Sequence, residues 1–274
     1  NFYHNLIYVS IIRGNSFMKN IIMVVDIGNT HTVMGFYFNT ELQYSWRLNT
    51  DKAKTEDEYF SIIKQLADDR KLILSQITKT AISSVVPEIT RIFSHLISKY
   101  LKCDVEIVNA YSKLGLQFPV ADPGFIGSDL VVNAFAAIEK YKTNCIICDF
   151  GTATTIQLVG KEGHFFGTAI APGVITSAKN LFDSTALLAN VQLKKPEYLL
   201  GTNTTDALLS GIITGNSMML DGFIKALRNE YKHLGEIKTV ATGGIAELIC
   251  SDSKEIDIID KSLTLDGLNL ICCK

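Results

Sequence analysis

Two short stretches of this chain pair a carboxylate with a small, donor-rich turn. "VVDIGNTHTV", residues 24–33, ends an apolar run in Asp26 and continues at once with Gly28, Asn29, Thr30 and Thr32. "CDFGTATTIQ", residues 148–157, repeats the order with Asp149, Gly151, Thr152 and further hydroxyls as far as Thr155. Backbone N–H groups in such a turn can bind phosphate oxygens, but a neighbouring carboxylate repels phosphate unless a cation lies between them. Asp26 therefore points to Mg2+ or its water shell. A third glycine turn, "ATGGIAEL" at residues 241–248, follows a strand-like run and precedes a helix-like one, where bare backbone could take the face of a nucleotide. Any one of these is often only a tight turn. Three in the order phosphate, phosphate, adenosine are more specific. The chain has no G-x-x-x-x-G-K-[ST] and no G-x-G-x-x-G opening a helix, so neither of those nucleotide fingerprints applies.

The elements that must carry these turns can be read from periodicity. Ile21 to Val25 is continuously apolar, and "TVMGFYF" and "LQYSWRL" follow as strands of a hairpin-rich sheet. Thr55 with Glu58 three residues on is a capping box for a helix bearing Phe60, Ile63 and Leu66. "KTAISSVVPEI" reads as a strand closed by Pro87, "EITRIFSHLISKYL" as an amphipathic helix, and "DVEIV" as a strand, giving the order β, β, β, α, β, α, β. His95 falls among polar positions of its helix and reads as a surface residue. The second half runs similarly. "NCIICDFGTATTIQLV" makes two strands about a turn, "HFFGTAIAPG" a third, and "VITSAKNLFDST" a helix. "TTDALLSGIITGNSMMLDGFIKALRNEY" makes one or two helices, and its Gly211 to Gly215 spacing would permit close helix packing. "IKTVATGGIAELI" closes the series. A chain of 274 residues can hold two moderate domains, and the recurrence suggests two related halves, each a mixed sheet with helices packed on it.

Composition narrows the function. A net charge of −2 with interspersed signs leaves no basic stripe for a phosphate backbone, so nucleic acid is excluded as a partner. The six cysteines, at 103, 145, 148, 250, 272 and 273, have no framework-like spacing and read as reduced thiols. Cys145 and Cys148 form a C-x-x-C, but on a buried strand residues three apart point to opposite faces, which argues against a redox or metal pair. No apolar run approaches 18 residues, which excludes a membrane span on length. Residues 1–17 contain the apolar stretch "LIYVSII" but lack a basic n-region and a small-residue cleavage site. They read as a leader outside a fold that begins near Met18.

The set "DIGNTHTV", "TEDEY", "SSVVP", "IGSDLVVNA", "DFGTATT", "APGV", "GTNTTDALLSG" and "ATGGIAEL" resembles the type III pantothenate kinases, members of the acetate and sugar kinase, Hsp70 and actin superfamily, and the resemblance covers Met18 to about Cys272. It implies a duplicated ribonuclease-H-like (actin-like ATPase) α/β fold, with one domain over residues 18–118 and another over 119–274 and ATP between them. It implies a cytoplasmic homodimer that phosphorylates the primary hydroxyl of pantothenate, the first step of coenzyme A synthesis, with ATP, Mg2+ and a monovalent cation, K+ or NH4+. Carried over by position, Asp26, Ile27, Gly28, Asn29, Thr30, His31, Thr32 and Val33 hold the ATP phosphates, with Asp26 associated with the metal. Asp129 matches the proton acceptor, Asp149 the ligand of the monovalent cation, Thr152 an ATP contact and Thr204 a pantothenate contact. Gly127, Ser128, Asp129 and Leu130 form the acceptor motif. On residues alone Asp129 reads equally well as the N-cap of the helix "VVNAFAAIEKY".

The resemblance breaks in that segment. The family has Gly-x-Asp-Arg where this chain ends in Leu130, a tyrosine where it has Val120, and an acidic residue where it has Phe125. An arginine fork suits a carboxylate, and leucine cannot replace it. Losing such a contact is expected to weaken an anionic acceptor roughly ten- to a hundredfold. Three readings survive: a pantothenate kinase that grips its substrate with other residues, a kinase for a less anionic small alcohol, and a nucleotide-binding regulatory protein that has lost catalysis. The retention of Asp26, Asp129, Asp149, Thr152 and Thr204 favours the first.

Overall fold

The computed structural model describes residues 20–183 and 191–274. The expected leader, residues 1–17, lies outside them, as do Ser184 and Thr185 at the end of one expected helix. The first sheet comprises β1 (Ile21–Ile27), β2 (His31–Phe38), β3 (Glu41–Asn49), β4 (Ile77–Ser84) and β5 (Asp104–Ile107), in the order β3-β2-β1-β4-β5. The second comprises β6 (Asn144–Phe150), β7 (Ala153–Val159), β8 (Phe165–Pro172), β9 (Ile237–Gly243) and β10 (Ile258–Ile259), in the order β8-β7-β6-β9-β10. In each, the first three strands form an antiparallel meander and the last two join in parallel. The strand plan is the same twice over, so the duplicated ribonuclease-H-like α/β fold is the one observed.

Helices α1 (Glu56–Arg70) and α2 (Pro87–Leu96) cover one face of the first sheet, burying Tyr59, Ile63, Ile89 and Phe93 against Met23, Val25, Met34 and Phe36. The Thr55 capping box is present as the sequence predicts, with Glu58 returning to the Thr55 N–H at 2.8 Å. Pro87 does not merely close β4; it opens α2 at its first turn, where its missing N–H costs nothing. His95 is exposed, 3.3 Å from Glu56, as a surface residue should be.

Helix α3 (Ser128–Tyr141) lies between the sheets. Val131, Val132 and Phe135 pack toward Val24 and Ala81 of the first, and Ala134 and Ala137 toward Cys145 and Ile147 of the second. Small alanines on one side and larger apolar residues on the other let one helix bury two faces. Helices α4 (Val174–Asp183), α5 (Thr204–Leu209), α6 (Gly215–Glu230) and α7 (Ala246–Ile249) belong to the second half. The last helix, α8 (Leu263–Cys272), returns to the first: Leu265, Leu268 and Ile271 join Ile22, Val24 and Tyr37 in one core. Covered on both sides, β1 has Met23, Val24 and Val25 all fully buried, which is why its sequence is continuously apolar and does not alternate.

Two expectations are corrected here. Close helix packing occurs at Gly267 of α8, where an added Cβ would stand 2.8 Å from the Ala136 Cβ, and not at Gly211, which has open space. The run Thr204–Glu230, continuous through a wide turn at Ser210–Thr214, is long and apolar enough to cross a membrane, so length alone does not exclude a span. Its Ile212, Ile213, Leu220 and Ile224 are buried in the second half's core, which accounts for that composition in a core helix. Cys145 and Cys148 do lie on opposite faces of β6, in different cores.

Candidate active site

Asp26 and Asp149 occupy matching places, the second-last residues of β1 and β6, each at the start of a tight turn into the next strand. Each turn is closed by its glycine: the Gly28 N–H donates to the His31 carbonyl, three residues on, at 2.9 Å, and the Gly151 N–H to the Ala153 carbonyl, two residues on, at 3.0 Å. Those two amides are therefore used internally. Among the described residues the N–H groups of Asn29, Thr30 and Thr152 have no protein partner, and these are the donors left for an anion. The turns meet across the cleft, with the Thr30 and Thr152 hydroxyls 3.0 Å apart. Packing beneath them tolerates only glycine. At Gly173 an added Cβ would lie 2.1 Å from the Thr152 carbonyl oxygen, and at Gly243, whose φ is +98°, 2.5 Å from that of Phe150.

The other members of the first turn divide by burial. Asn29, Thr30 and His31 are exposed, whereas Ile27 sits in the core and the Thr32 hydroxyl is held 3.0 Å from that of Thr50. Val33 lies directly across the ladder from Asp26. Ile27 and Thr32 thus shape the turn from behind, and Val33 stands beside Asp26 on the same face.

Asp129 completes a group of three carboxylates. It is not the N-cap: Gly127 takes that place and Asp129 is the second residue of α3, its Oδ1 accepting from the Leu130 N–H at 2.9 Å. The carboxylate folds back over Gly127, where a Cβ would come within 2.4 Å of it. Burial pushes Asp26 up to about 7, and the charges of Asp129 and Asp149 push the same way. Burial lifts Asp149 to about 6 against a hydrogen bond from Asn133, with Asp129 adding repulsion. Burial also raises Asp129. Among the described residues no lysine or arginine pairs with any of the three. Mutually repelling carboxylates without a protein cation suit a hard metal ion. Among the described residues no three acidic, histidine or cysteine side chains form a closed cage. Mg2+ here would rest on a carboxylate, waters and ligand oxygens, which is its usual habit.

Residues that sequence reasoning missed, Ser83 and Asn133, hold Asp26 and Asp149 in place. The Ser84 N–H donates to the Ser128 hydroxyl at 2.7 Å, Ser128 lies 3.1 Å from Ser83, and Ser83 hydrogen-bonds Asp26. Asn133 donates through Nδ2 to Asp149 Oδ2 at 2.9 Å and accepts from the Thr264 hydroxyl of α8 at 2.7 Å. The one available signal for Asn133 was its position, a turn beyond Asp129 in an otherwise apolar helix.

The predicted acceptor residues scatter. Ser128 is buried with its hydroxyl committed to the first sheet, and Leu130 is buried, its carbonyl accepting from Gln157 at 3.2 Å. Val120 and Phe125 are exposed, Phe125 by 78%. Thr204 makes no hydrogen bond to the carboxylates. It opens α5 behind the Asn203 cap, near a hollow of about 430 Å3 lined by Lys194, Lys195, Glu197 and Asp206.

Two like-folded halves that close turns and carboxylates on a shared cleft define a class, the phosphoryl-transfer and nucleotide-dependent proteins built on the duplicated ribonuclease-H-like fold. Solved structures agree on the fold. One from Campylobacter jejuni, described as a conserved protein of the Baf family of transcriptional activators, superposes with TM-score 0.50 at 20% identity, covering 91% of this chain and 96% of that one. The ethanolamine utilization protein EutJ from Carboxydothermus hydrogenoformans does so with TM-score 0.53 at 13% identity, covering 94% and 92%. Within the class the assignment is narrower: the family model for type III pantothenate kinase matches residues 22–226, and the chain belongs to that family. It is a phosphotransferase of a kinase family, with ATP and a divalent metal as the cofactors that family uses and a small molecule as its substrate.

Proposed function

We propose that this protein transfers the γ-phosphoryl group of ATP to the primary hydroxyl of pantothenate, giving 4'-phosphopantothenate. The observation that carries the reading is the convergence of Asp26, Asp129 and Asp149 on one cleft beneath two turns with free N–H groups. Phosphoryl transfer needs positioning, charge neutralisation and one carboxylate to receive the proton of the incoming hydroxyl. Asp129 has that last role. Its raised affinity for a proton brings a carboxylate nearer the useful range for a base, and Leu130 N–H keeps it aimed. The Asn29, Thr30 and Thr152 amides take phosphate oxygens. Asp26 would hold Mg2+ and Asp149 a monovalent cation, K+ or NH4+, and ions so held would supply neutralisation of the charge that develops on the transferred group. Thr204 and the Gly127–Leu130 segment belong to the acceptor side. We place the enzyme in the cytoplasm as a homodimer, a reading supported by family membership and by the exposed Met218 and Phe223 on α6.

The test is ADP release with Mg2+ and K+, with and without pantothenate, for the native protein and Asp129→Asn. Pantothenate-dependent turnover that falls at least a hundredfold in the variant, with ATP binding retained, is the expected result. Turnover absent in both despite ATP binding would sink the assignment.

A second reading has its own support. The three departures from the family put leucine, valine and phenylalanine where an arginine, a tyrosine and an acid stand, and Phe125 and Val120 are exposed beside the motif. An acceptor with less negative charge than pantothenate fits such a surface. Phosphorylation of neutral primary alcohols at higher kcat/KM than pantothenate would favour it.

A further inference from the structure

The backbone of Arg47 pairs with Val33 in the β2–β3 ladder, but its side chain is exposed and makes no ion pair or hydrogen bond with any other described residue. The strand registers fix its place. Arg47 lies opposite Val33, Val33 opposite Asp26, and Asp26 opposite Ser83, so all four form one row across β3, β2, β1 and β4. Directly opposed residues share a face of the sheet. Its neighbours Trp46 and Leu48 point to the other face, into the core beneath α1. Two strand spacings separate Arg47 from Asp26, about 10 Å. That interval is wide enough for a phosphate chain and its metal ion, with the carboxylate at one end and the guanidinium at the other.

The far wall is supplied by the second half. A Cβ built on Gly244, in the third glycine turn, would stand 3.5 Å from Arg47 Nη1 and 3.6 Å from Nη2. The guanidinium of the first half therefore lies against bare backbone of the second. An unpaired arginine beside a glycine turn, in the row of the candidate metal carboxylate, has the geometry of an anion clamp.

We infer that Arg47 is a phosphate-binding residue of the cleft, reaching across it to the polyphosphate of a bound nucleotide. The inference rests on the nucleotide reading above and adds to it the cation that the three carboxylates lack. It also makes nucleotide binding sensitive to closure, because the groups that grip the phosphates come from both halves.

The experiment is calorimetric titration of adenosine, AMP, ADP and ATP, each with Mg2+, into the native protein, Arg47→Gln and Arg47→Lys. In Arg47→Gln, ATP and ADP should bind about tenfold more weakly, as for loss of one charge-assisted contact. AMP should lose less and adenosine nothing. Arg47→Lys, which keeps the charge without the fork, should fall between. Equal losses for adenosine and ATP would overturn the inference by moving Arg47 to the nucleoside, and an unchanged ATP affinity would overturn it outright. A native protein that binds none of the four fails before any variant is compared; that outcome refutes the nucleotide reading, and the role of Arg47 falls with it. Should Arg47→Gln melt early, Arg47→Lys carries the same comparison.

Discussion

Asp26, Asp129 and Asp149 repel one another in a cleft where no basic side chain among the described residues pairs with them, and the cost of that arrangement depends on pH. Asp26 rises from an ordinary 3.8 to about 7 in the folded chain. A raised carboxylate contributes stability that is complete below pH 4, where both folded and unfolded forms hold the proton. That stability is lost as pH climbs through 7, where only the folded form still takes it up. Without divalent cations, the native protein should therefore lose more melting temperature between pH 5 and pH 8 than Asp26→Asn does. Mg2+ with ATP should restore it in the native protein alone. Melting curves that stay parallel between the two proteins across that range would show that Asp26 carries no such strain. This chemistry was legible in the sequence because it depends on residue type and adjacency: an aspartate at a strand end, a glycine, then donors. Ser83, Asn133 and Thr264 were not legible, since each acts through a partner 16 to 131 residues away, and a lone polar residue in an apolar run gives no address for its partner.

At the scale of elements the site depends on α3. Its first turn ties Ser128 to β4, its second ties Asn133 to β6, and its Ala136 meets Gly267 of α8 closely. The orientation of the Asn133 amide is set from both ends, because Thr264 can only be satisfied by Oδ1 if Nδ2 serves Asp149. Thr264→Val keeps the shape of α8 and deletes that donor. The amide then loses its orienting partner and Asp149 its fixed rotamer. We expect kcat to fall about tenfold, with the melting temperature within a few degrees of native and activity retained in Thr264→Ser. Equal losses in Val and Ser, or a fall in KM affinity for acceptor with kcat intact, would mean the contact is only packing. The sequence showed α1 and its capping box plainly, because both partners are three residues apart. It did not show α8. Leu263, Leu265, Leu268 and Ile271 are apolar at helical spacing, but the sheet they cover was made by the other end of the chain. No local pattern records that. β10, at two residues, is too short for any alternation to register.

Over the whole molecule, the returning α8 means that the two halves are fastened at the end opposite their meeting turns. Lys140 of α3 reaches Asp260 and Asp266 at 2.6 Å each, Tyr141 donates to Asp260 at 2.6 Å, and Tyr37 of the first sheet donates to Asp266 at 2.6 Å. Burial alone would push Asp260 up; Lys140 and Tyr141 outweigh it and hold its carboxyl below the ordinary range. Removing the ammonium in Lys140→Met leaves two carboxylates facing each other in a largely buried place. The loss should be roughly 1.5–3 kcal/mol, the range for hydrogen bonds to charged groups, read from urea unfolding at pH 7. Because Asp260 is depressed in the folded state, its contribution is present above pH 3.8 and fades as pH falls toward and below that value, so the deficit should narrow on acidification. Lys142 is the control: its pair with Glu139 is 67% exposed on the lysine side, and Lys142→Met should cost less than about 1 kcal/mol. The fastening also predicts a functional split. If it sets how the halves approach at the Thr30–Thr152 contact, Lys140→Met should weaken ATP binding, which needs both turns, more than it alters the chemistry at Asp129. A variant as stable as native, or one that loses kcat while binding ATP normally, would show that the halves are held together elsewhere.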